Sequence, residues 1–495
     1  MTTNLKNILS QIHKICSDLV DSVCGAAAGT SSFEMEALIF ERVHALGLEL
    51  MSAYFAVQAP HYRWSSATDT DGHVLHYNCE RGAQFYSIFG EVPLTRSYYC
   101  GDGRGWFPMD AALNLPPKGA SDFQRKMVEE LSLSMSFVDT TAFLARYFPL
   151  ATSTRAVQEV VYTDSLDAGA YYAQAPAPTP SQRASILVVQ GDGKGVPMVK
   201  QTLAVEIEPG KPKEPPKREG KKKEATVVSV STHSPFIRTP EQVVASLFDG
   251  KVINSDSQQT VASKRVWATM EGKQPALAQA RTWVGQFEGD HIRERVTLSD
   301  GLPSLQRALD EAFPEHVRVL DLMHALGYLW KAADVWFGKS KHGRAWVRDS
   351  VLILLQGKAA DIVEEVDRWG RETSSAGKLI LENAANYLRN NLDAMAYNVY
   401  LGKGWPIATG MIEGACRHIV KDRCERSGMR WTGDGVEAIL RLRCLHANGD
   451  WEAYHRFRMA SRHHILYGAP APKLMNTQDT NVHEFNATQQ FAKAA

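Results

Sequence analysis

The chain has 495 residues, a length that accommodates roughly two to four domains. Hydrophobic residues make up 44% and charged residues 22%, which is typical of a globular protein and excludes a disordered or collagen-like chain. Lys+Arg and Asp+Glu number 55 each, so the formal net charge is zero. Any surface that attracts nucleic acid must therefore be a local patch.

Three features bear on where the protein works. The N-terminal segment MTTNLKNILSQIHKICSDLV has no basic region followed by a continuous apolar core, so we expect no secretory signal. No stretch approaches the roughly 18–20 uninterrupted apolar residues that a membrane-spanning helix needs. Seven cysteines lie scattered at positions 16, 24, 79, 100, 416, 424 and 444. Their odd number and spacing favour a reduced, cytoplasmic protein over a disulfide scaffold.

Residues 1–115 are predicted to form a mostly helical region with a small β part. Apolar residues recur at three- and four-residue steps in two stripes, first at Leu5, Ile8, Ile12, Ile15, Leu19 and Val23, then at Ile39, Val43, Leu46 and Leu50. Ser31 and Glu34 have the spacing of a capping box before the second stripe. After Pro60, aromatic and β-rich segments punctuated by Gly and Pro predict a small sheet.

Cys79 and Cys100 lie within this β part and suggest a zinc ribbon, with His73 and His76 as further ligands. A structural zinc site needs four ligands, usually arranged as paired CxxC knuckles. Neither cysteine has such a neighbour, so the sequence favours structural cysteines over zinc.

Residues 116–170 are predicted to form a helix-turn-helix. Phe123, Met127, Leu131 and Met135 form one stripe, residues 137–146 a second helix, and Ser153 caps a third. In a helix-turn-helix the last helix enters the major groove, where Arg and Gln side chains read base edges. Thr154, Arg155 and Gln158 would then contact DNA. The alternative is a three-helix packing unit that does not touch DNA.

A Pro/Ala-rich linker at 171–184 precedes a mixed α/β domain at 185–450, followed by a tail at 451–495. SILVVQG, PMVKQTLAVEI and ATVVSVS predict three antiparallel strands, the last two joined by a charged loop at 209–224. RVTLS, the helical SLQRALDEAF and VRVLDL follow. A helical tract at about 325–400 predicts an all-α insertion. This order of elements is that of an RNase H-like fold.

Three acidic residues have the positions expected of metal ligands. Asp192 and Asp300 each end a short apolar run and precede Gly, and Glu413 lies near the start of a basic helix. Two strand-borne aspartates and a helix-borne glutamate can share a pair of Mg²⁺ ions, which prefer oxygen ligands and activate phosphodiester cleavage. Mn²⁺ is the alternative ion.

Other interpretations of these residues stay open. Asp-Gly is also a turn signal, and an acidic residue near a helix N-terminus is favoured by the helix dipole. Asp321 competes with Asp300 for the middle position, and the neighbouring His324 could bind phosphate, orient a ligand or simply pack. Beyond Glu413, basic residues could hold a DNA phosphate. They are Arg417, Lys421 and Arg423.

Several stretches carry a resemblance to a known family, among them GWFPMDAALNLP, DGKGVPM, LDLMHALGYL and GMIEGACRHIVKDRCERSGMRW. From about residue 85 to 458 the chain resembles bacterial insertion-sequence transposases of the ISKra type, which belong to the DDE class. The resemblance implies an RNase H-like fold with a helical insertion, Mg²⁺, and catalytic positions at Asp192, Asp300 and Glu413. The family's paired cysteine knuckles are absent here.

The function expected from the sequence is DNA transposition. The enzyme would bind the ends of its own element, cleave a strand and use the freed 3′-OH to attack target DNA. Holding two ends of double-stranded DNA implies a homodimer or larger assembly, located at the nucleoid. The alternatives are a non-mobile DNA-binding protein derived from a transposase, and a stand-alone RNase H-like nuclease.

Overall fold

The computed structural model describes residues 3–116, 119–181, 184–199, 222–251, 261–374, 377–426 and 428–468. Of these residues, those up to 130, 137–157 and 455–468 form one unit, and those between 131 and 136 and between 158 and 454 form a second. The predicted charged loop at 209–224 lies outside the described residues except for its last three positions. None of the described helices is both long enough and apolar enough to span a bilayer.

The first unit begins with the two predicted helices, α1 (Thr3–Cys24) and α2 (Ser32–Gln58). The predicted capping box precedes α2: the Ser31 hydroxyl accepts from the Glu34 amide at 3.3 Å, and the Ser31 amide donates to the Glu34 carboxylate at 3.0 Å. Hydrogen bonds from Ser31 lower the pKa of Glu34. The box satisfies amide donors that the first helical turn would otherwise leave unpaired.

An antiparallel sheet follows, which confirms the predicted β part. Its strands lie in chain order: β1 (Ser66–Thr68), β2 (Val74–Ser87), β3 (Gly90–Gly101) and β4 (Arg104–Trp106). A short helix, α3 (Pro108–Ala112), comes next. Phe55 from α2, Val92 and Leu94 from β3, and Met109 from α3 form the buried core beneath this sheet.

Four more helices follow: α4 (Asp122–Ser134), α5 (Phe137–Tyr147), α6 (Thr154–Ser165) and α7 (Ala168–Gln174). The helices predicted at 123–160 are thus present, and the Ser153 hydroxyl caps α6 by accepting from the Ala156 amide at 3.1 Å. The predicted apolar face of α4 is wrong, because Phe123 is 64% exposed whereas Val128 and Leu133 are buried. This helix also buries polar Glu129 and Ser132, which interrupts the apolar pattern.

The second unit is built on a five-stranded mixed sheet. Its strands are β5 (Ile186–Pro197), β6 (Lys222–His233), β7 (Val261–Thr269), β8 (Glu294–Ser299) and β9 (Val317–Leu320). The spatial order is β7-β6-β5-β8-β9. The pairs β5–β6 and β6–β7 are antiparallel, and β8 and β9 run parallel to β5.

One predicted strand differs from the structure. The segment 197–207 was expected to form the second antiparallel strand, but Met198 and Val199 follow the end of β5 and residues 200–207 lie outside the described part. The third antiparallel strand is β7, which the sequence pattern did not reveal. Arg265 is buried in it, packing over the Tyr172 ring, and its charge interrupts the apolar run.

Helices cover the sheet and continue beyond it: α8 (Pro240–Asp249), α9 (Lys273–Phe287) and α10 (Pro303–Ala312). The predicted helical tract is present as α11 (Leu322–Phe337), α12 (Lys341–Leu355), α13 (Ala359–Glu372), α14 (Lys378–Asn390) and α15 (Tyr397–Gly402). Val188 and Val296 from the sheet share one core with Leu329, Val351 and Leu381 from these helices.

Further helices follow along the chain. They are α16 (Gly410–Ala415), a π-helical turn at Cys416–Lys421, α17 (Asp422–Cys424), α18 (Gly433–Ala447) and α19 (Trp451–Tyr467). A π-turn widens the helix and displaces the side chains that follow it, and such turns are frequent at functional sites.

Burial of His233 in β6 predicts a pH dependence of stability. Burial lowers its pKa to about 4, so the folded state favours the neutral ring. Above the unfolded-state pKa of about 6.5 the ring is neutral in both states, so the free energy of unfolding is at its full value. As pH falls from there towards 4, the unfolded state takes up a proton that the folded state does not, and the free energy of unfolding falls by up to roughly 3 kcal/mol. Urea unfolding at pH 7 and pH 4.5 should show a smaller loss for His233→Gln than for the wild type. Equal losses in the two proteins would contradict this.

Candidate active site

Two of the predicted acids lie level with each other on neighbouring strands. In the parallel pair β5–β8, Gln190 faces Leu298. Asp192 and Asp300 each lie two residues further on, so the same register brings them side by side. Side chains at matching positions of adjacent parallel strands point to the same face of a sheet. The register therefore brings Asp192 and Asp300 to the same region of the sheet, and the charge of Asp300 contributes to raising the pKa of Asp192.

The rival residue, Asp321, continues this row. In the pair β8–β9, Ser299 faces Leu320, and Asp300 and Asp321 directly follow these two residues. Asp300 and Asp321 thus directly follow two neighbouring strands, whereas Asp192 lies within the strand beside them, β5. Ends of parallel strands are where mixed sheets gather their functional groups.

Asp192 is held within β5 between two glycines. Its carboxylate accepts a hydrogen bond from the Gly193 amide at 2.6 Å. A Cβ at Gly193 would lie 2.7 Å from the Glu224 side chain, so a larger residue would not fit without a shift. Burial, with a contribution from the charge of Asp300, raises the pKa of Asp192.

Asp300 begins a tight turn after β8. Its Oδ1 accepts from the Leu302 amide at 2.9 Å, and its carbonyl accepts from the Tyr387 hydroxyl at 2.7 Å. Gly301 has φ +79°, and a Cβ there would lie 2.7 Å from Leu320. The Asp-Gly turn interpretation is therefore confirmed, since this turn requires a glycine at position 301. A turn here does not conflict with Asp300 as a metal ligand, which stays a prediction.

Asp321 is completely buried and joins two parts of the chain. It caps α11 through the Met323 amide at 3.0 Å, and it accepts from the Thr409 amide at 3.3 Å and the Thr409 hydroxyl at 2.6 Å. His324 Nδ1 lies 2.6 Å from Oδ2 of Asp321, the oxygen that also accepts from the Thr409 hydroxyl. Burial acts to raise the pKa of Asp321, but the hydrogen bonds from His324, Thr409 and Met323 together outweigh it and lower the pKa.

Glu413 lies exposed in the first turn of α16, beside this anchor. The Thr409 hydroxyl is 3.3 Å from its Oε1, and the Ile412 amide donates to the Gln190 side chain of β5 at 3.1 Å. The short helix is therefore tied to β5 on one side and to Asp321 on the other. Glu413 is thereby held near the strand-borne aspartates.

Asp321, His324 and Glu413 form the tightest group of potential ligands at this edge. One ligand atom from each lies within 4.8 Å of the others, a criterion that Asp192, Asp300 and Glu413 do not meet together. His324 and Glu413 also line a cleft of about 240 Å³. The hydrogen bond to Asp321 raises the pKa of His324, against the effect of burial, and the charges of Asp321, Asp300 and Glu413 raise it further.

Cys416, at the start of the π-turn after α16, lies beside Asp192 of β5. No sequence motif marked this cysteine as a site residue. Its buried thiol, at the start of the π-turn, hydrogen-bonds to Asp192. Burial, the charge of Asp192 and this hydrogen bond raise the pKa of the thiol. A nucleophilic cysteine needs a lowered pKa, so Cys416 is suited to orienting Asp192 and not to attacking a substrate.

The donor chemistry fits a hard divalent cation. Asp192, Asp300, Asp321 and Glu413 all offer carboxylate oxygens, which Mg²⁺ and Mn²⁺ prefer. Burial, and to a smaller extent the charge of Asp300, raises the pKa of Asp192, and a bound cation would stabilise the ionised form of this carboxylate. In the first unit Asp69, Asp71 and His73 also cluster, but Arg104 lies 2.8 Å from Asp71 and already supplies positive charge there.

The predicted DNA contacts differ in their exposure. Arg417 and Lys421 in the π-turn are exposed, as are Arg155 and Gln158 on α6. Arg423 is only 1% exposed: its Nε donates to the Ser132 carbonyl at 2.9 Å and its guanidinium packs over the Trp431 ring. The prediction that Arg423 contacts DNA is therefore wrong, because this side chain is used inside the second unit.

Comparisons with known proteins do not indicate a function, so the functional argument depends on the candidate active site. The chain matches no protein-family model and no curated protein. The resemblance to transposases remains an expectation from the sequence motifs.

Proposed function

We propose that the chain is a DNA transposase of the DDE class with an RNase H-like catalytic domain. The order β7-β6-β5-β8-β9 supports this fold, since three antiparallel strands are followed by two strands parallel to the first. The position of the helical tract α11–α15, between β9 and the helix that carries Glu413, agrees with the insertion that the family resemblance implies.

One observation carries the proposal: Asp192 within β5 and Asp300 directly after β8 take matching positions along two parallel strands, and the helix that carries Glu413 is bonded to β5 through Gln190. Strands of a central sheet hold their carboxylates rigidly. Glu413 has the longer side chain and approaches from a helix tied to β5 through Gln190. This arrangement can bind a metal pair and leave open positions for phosphate oxygens.

The residues have distinct roles in the proposed reaction. Asp192, Asp300 and Glu413 would hold Mg²⁺, with Mn²⁺ as the alternative. The ions, when bound, activate the attacking oxygen and neutralise charge on the leaving oxygen of a phosphodiester. Asp321 positions Glu413 through Thr409, and Cys416 orients Asp192. Arg417 and Lys421 hold a DNA phosphate next to the carboxylates.

The partner in this proposal is double-stranded DNA, both element ends and target, at the bacterial nucleoid. Helices α4–α6 would act as the helix-turn-helix, with Arg155 and Gln158 reading bases from the exposed side of α6. Their exposure supports this role, because a base-reading side chain must reach the floor of the major groove.

The proposal is tested with purified protein, Mg²⁺ and labelled DNA from the two flanks of the coding region. Strand cleavage at an inverted repeat, followed by joining of the 3′-OH to a second DNA, is the expected result. Cleavage without joining would favour a stand-alone nuclease. Specific binding without cleavage would favour a non-mobile DNA-binding protein.

The basic residues of the π-turn give a separate prediction. Arg417→Ala and Lys421→Ala should each weaken DNA binding by roughly 3- to 10-fold at about 100 mM salt, and should reduce the salt dependence of binding by about one counterion. Fluorescence anisotropy across a salt series measures both effects.

Two controls separate DNA contact from general effects. Arg281→Ala removes an exposed arginine from helix α9 and should leave binding unchanged. Arg423→Ala should lower the melting temperature, because it removes a buried side chain. Unaltered binding in both π-turn variants would exclude these residues as phosphate contacts.

A further inference from the structure

One side of helix α11 opens onto a cleft directly beside the candidate active site. His324, Gly327 and Lys331 follow one another at steps of three and four residues, so they lie along the same side of the helix. Together with Tyr328 and Glu413 they line a cleft of about 240 Å³. We call this space the α11 cleft. From His324 to Lys331 it follows the helix for about two turns, or about 10 Å.

Gly327 leaves a gap in the middle of this side of the helix. A glycine in a helix interior is destabilising relative to alanine, so its presence calls for a structural or functional reason. Packing does not supply one, because a Cβ at Gly327 would meet no atom from the other described parts of the chain within 4 Å. At Gly343 in α12, by contrast, a Cβ would lie 3.3 Å from the Gly338 carbonyl oxygen. The missing side chain at Gly327 instead gives a ligand access to the backbone of α11.

Lys331 supplies positive charge at the far end of the α11 cleft. Its ammonium lies 4.4 Å from the centre of the Tyr328 ring, and no carboxylate pairs with it within the part of the chain that the structure describes. Lys403, for comparison, lies 3.1 Å from the Glu294 carboxylate. A contact between an exposed ammonium and an aromatic ring is weak, so Lys331 is able to turn to a fully charged anionic partner such as a phosphate.

The α11 cleft is attached to the candidate active site at two points. Tyr328 stacks on Tyr387, with ring centroids 3.9 Å apart and planes inclined by 15°, and the Tyr387 hydroxyl donates to the Asp300 carbonyl at 2.7 Å. At the near end of the cleft, a ring nitrogen of His324 lies within 4.8 Å of a carboxylate oxygen of Glu413. The cleft is therefore continuous with the candidate site and held in a fixed position relative to it.

We propose that the α11 cleft binds the backbone of the DNA strand that enters the candidate active site, and that Lys331 binds one of its phosphates. This inference rests on the proposed function and identifies where the substrate strand lies. The cleft is smaller than the roughly 300–1,000 Å³ that enclose a whole small molecule, so it fits one edge of a strand and not a free nucleotide. Successive nucleotides of a B-form strand advance by about 3.4 Å, so a cleft about 10 Å long spans about three of them.

A coupling experiment between Lys331 and single phosphates tests the proposal. Duplexes from the flanks of the coding region each carry one uncharged methylphosphonate in place of a phosphate, and fluorescence anisotropy measures their binding to the full-length protein. Replacing the contacted phosphate should weaken binding to the wild type by roughly 3- to 10-fold. The same replacement should have no further effect on Lys331→Gln, because this variant has already lost the contact. Lys358→Gln, at another exposed lysine of the helical tract, should respond as the wild type does.

Gly327 gives a second test, in which stability and binding change in opposite directions. Glutamine forms helices better than glycine, and at this position its side chain would occupy the α11 cleft. Gly327→Gln should therefore keep or raise the melting temperature while weakening DNA binding at least as much as Lys331→Gln does. Gly285→Gln on α9, where a Cβ would also meet no described atom within 4 Å, should keep or raise the melting temperature and leave binding unchanged.

The outcomes distinguish this inference from the proposed function. A wild type that cleaves DNA but shows no phosphate coupled to Lys331, or a Gly327→Gln protein that binds DNA normally, would overturn the role of the α11 cleft and leave the proposed function intact. A coupled phosphate in a protein that binds DNA without cleaving it would support the cleft and contradict the proposed chemistry. A wild type that binds no DNA would overturn both. In a protein that cleaves, a coupled phosphate more than about three nucleotides from the cut would also overturn the proposal.

Discussion

Asp192→Asn should reduce strand cleavage and joining by at least about 1,000-fold and leave binding to DNA ends unchanged. The substitution keeps the shape of the side chain but removes one of the oxygens that hold the metal and the negative charge that attracts it. Cleavage of a labelled element end in Mg²⁺ measures the first effect, and gel-shift titration measures the second.

Stability provides a control within the same variant. Burial and the charge of Asp300 raise the pKa of Asp192, so the folded protein disfavours the ionised form of this carboxylate relative to the neutral form. Its neutral replacement should leave the melting temperature unchanged or higher. Asp334→Asn, an exposed position on α11, should retain full cleavage. An Asp192→Asn protein that cleaves DNA normally would exclude the proposed catalytic role.

Asp321→Ala should lower the free energy of unfolding by roughly 3–4 kcal/mol and also impair cleavage. Asp321 is buried and accepts from two backbone amides, a hydroxyl and an imidazole, and its removal leaves the amides of Met323 and Thr409 without their acceptor. Each unsatisfied buried donor costs about 1–3 kcal/mol. Urea unfolding measures the loss.

Comparing Glu413→Gln with Asp321→Ala distinguishes a residue that acts in cleavage from one that holds the site in place. Glu413 is exposed, so this variant should lose cleavage with little change in stability, whereas Asp321→Ala should lose both. An unfolding free energy of Asp321→Ala within about 0.5 kcal/mol of the wild type would contradict the anchoring role. Such small changes are usual for surface substitutions without structural contacts.

The sequence predicted the parts of the second unit whose apolar pattern is regular. The strands β8 and β9 and the intervening α10 were recognised because their apolar residues follow the periods of strand and helix. β7 was missed because buried Arg265 interrupts its pattern. Its charge is accommodated by the Tyr172 ring and by Asp450 at 3.8 Å, partners far away in sequence.

The candidate site was predictable in its components but not in its assembly. The sequence could not decide which of Asp300 and Asp321 is the better candidate for the middle metal ligand, because both directly follow a strand. Only the strand register shows that the two residues occupy matching positions. Arg423 was predicted to contact DNA together with Arg417 and Lys421 because it follows Glu413 in the same basic stretch, whereas the fold buries it. The π-turn was invisible in the sequence, and it alters which faces Arg417 and Lys421 present relative to Glu413.

The hydrogen bonds between Asp321 and Thr409 also join the two ends of the helical tract that lies between these residues in the sequence. Leu322 and Ile407 meet beside it through a 2.9 Å backbone hydrogen bond, so the tract leaves and rejoins the sheet at one point. Helices can therefore be added, shortened or exchanged within it at little entropic cost, since the ends are already held together. The geometry of the candidate site at this point therefore does not depend on the length of the helical tract.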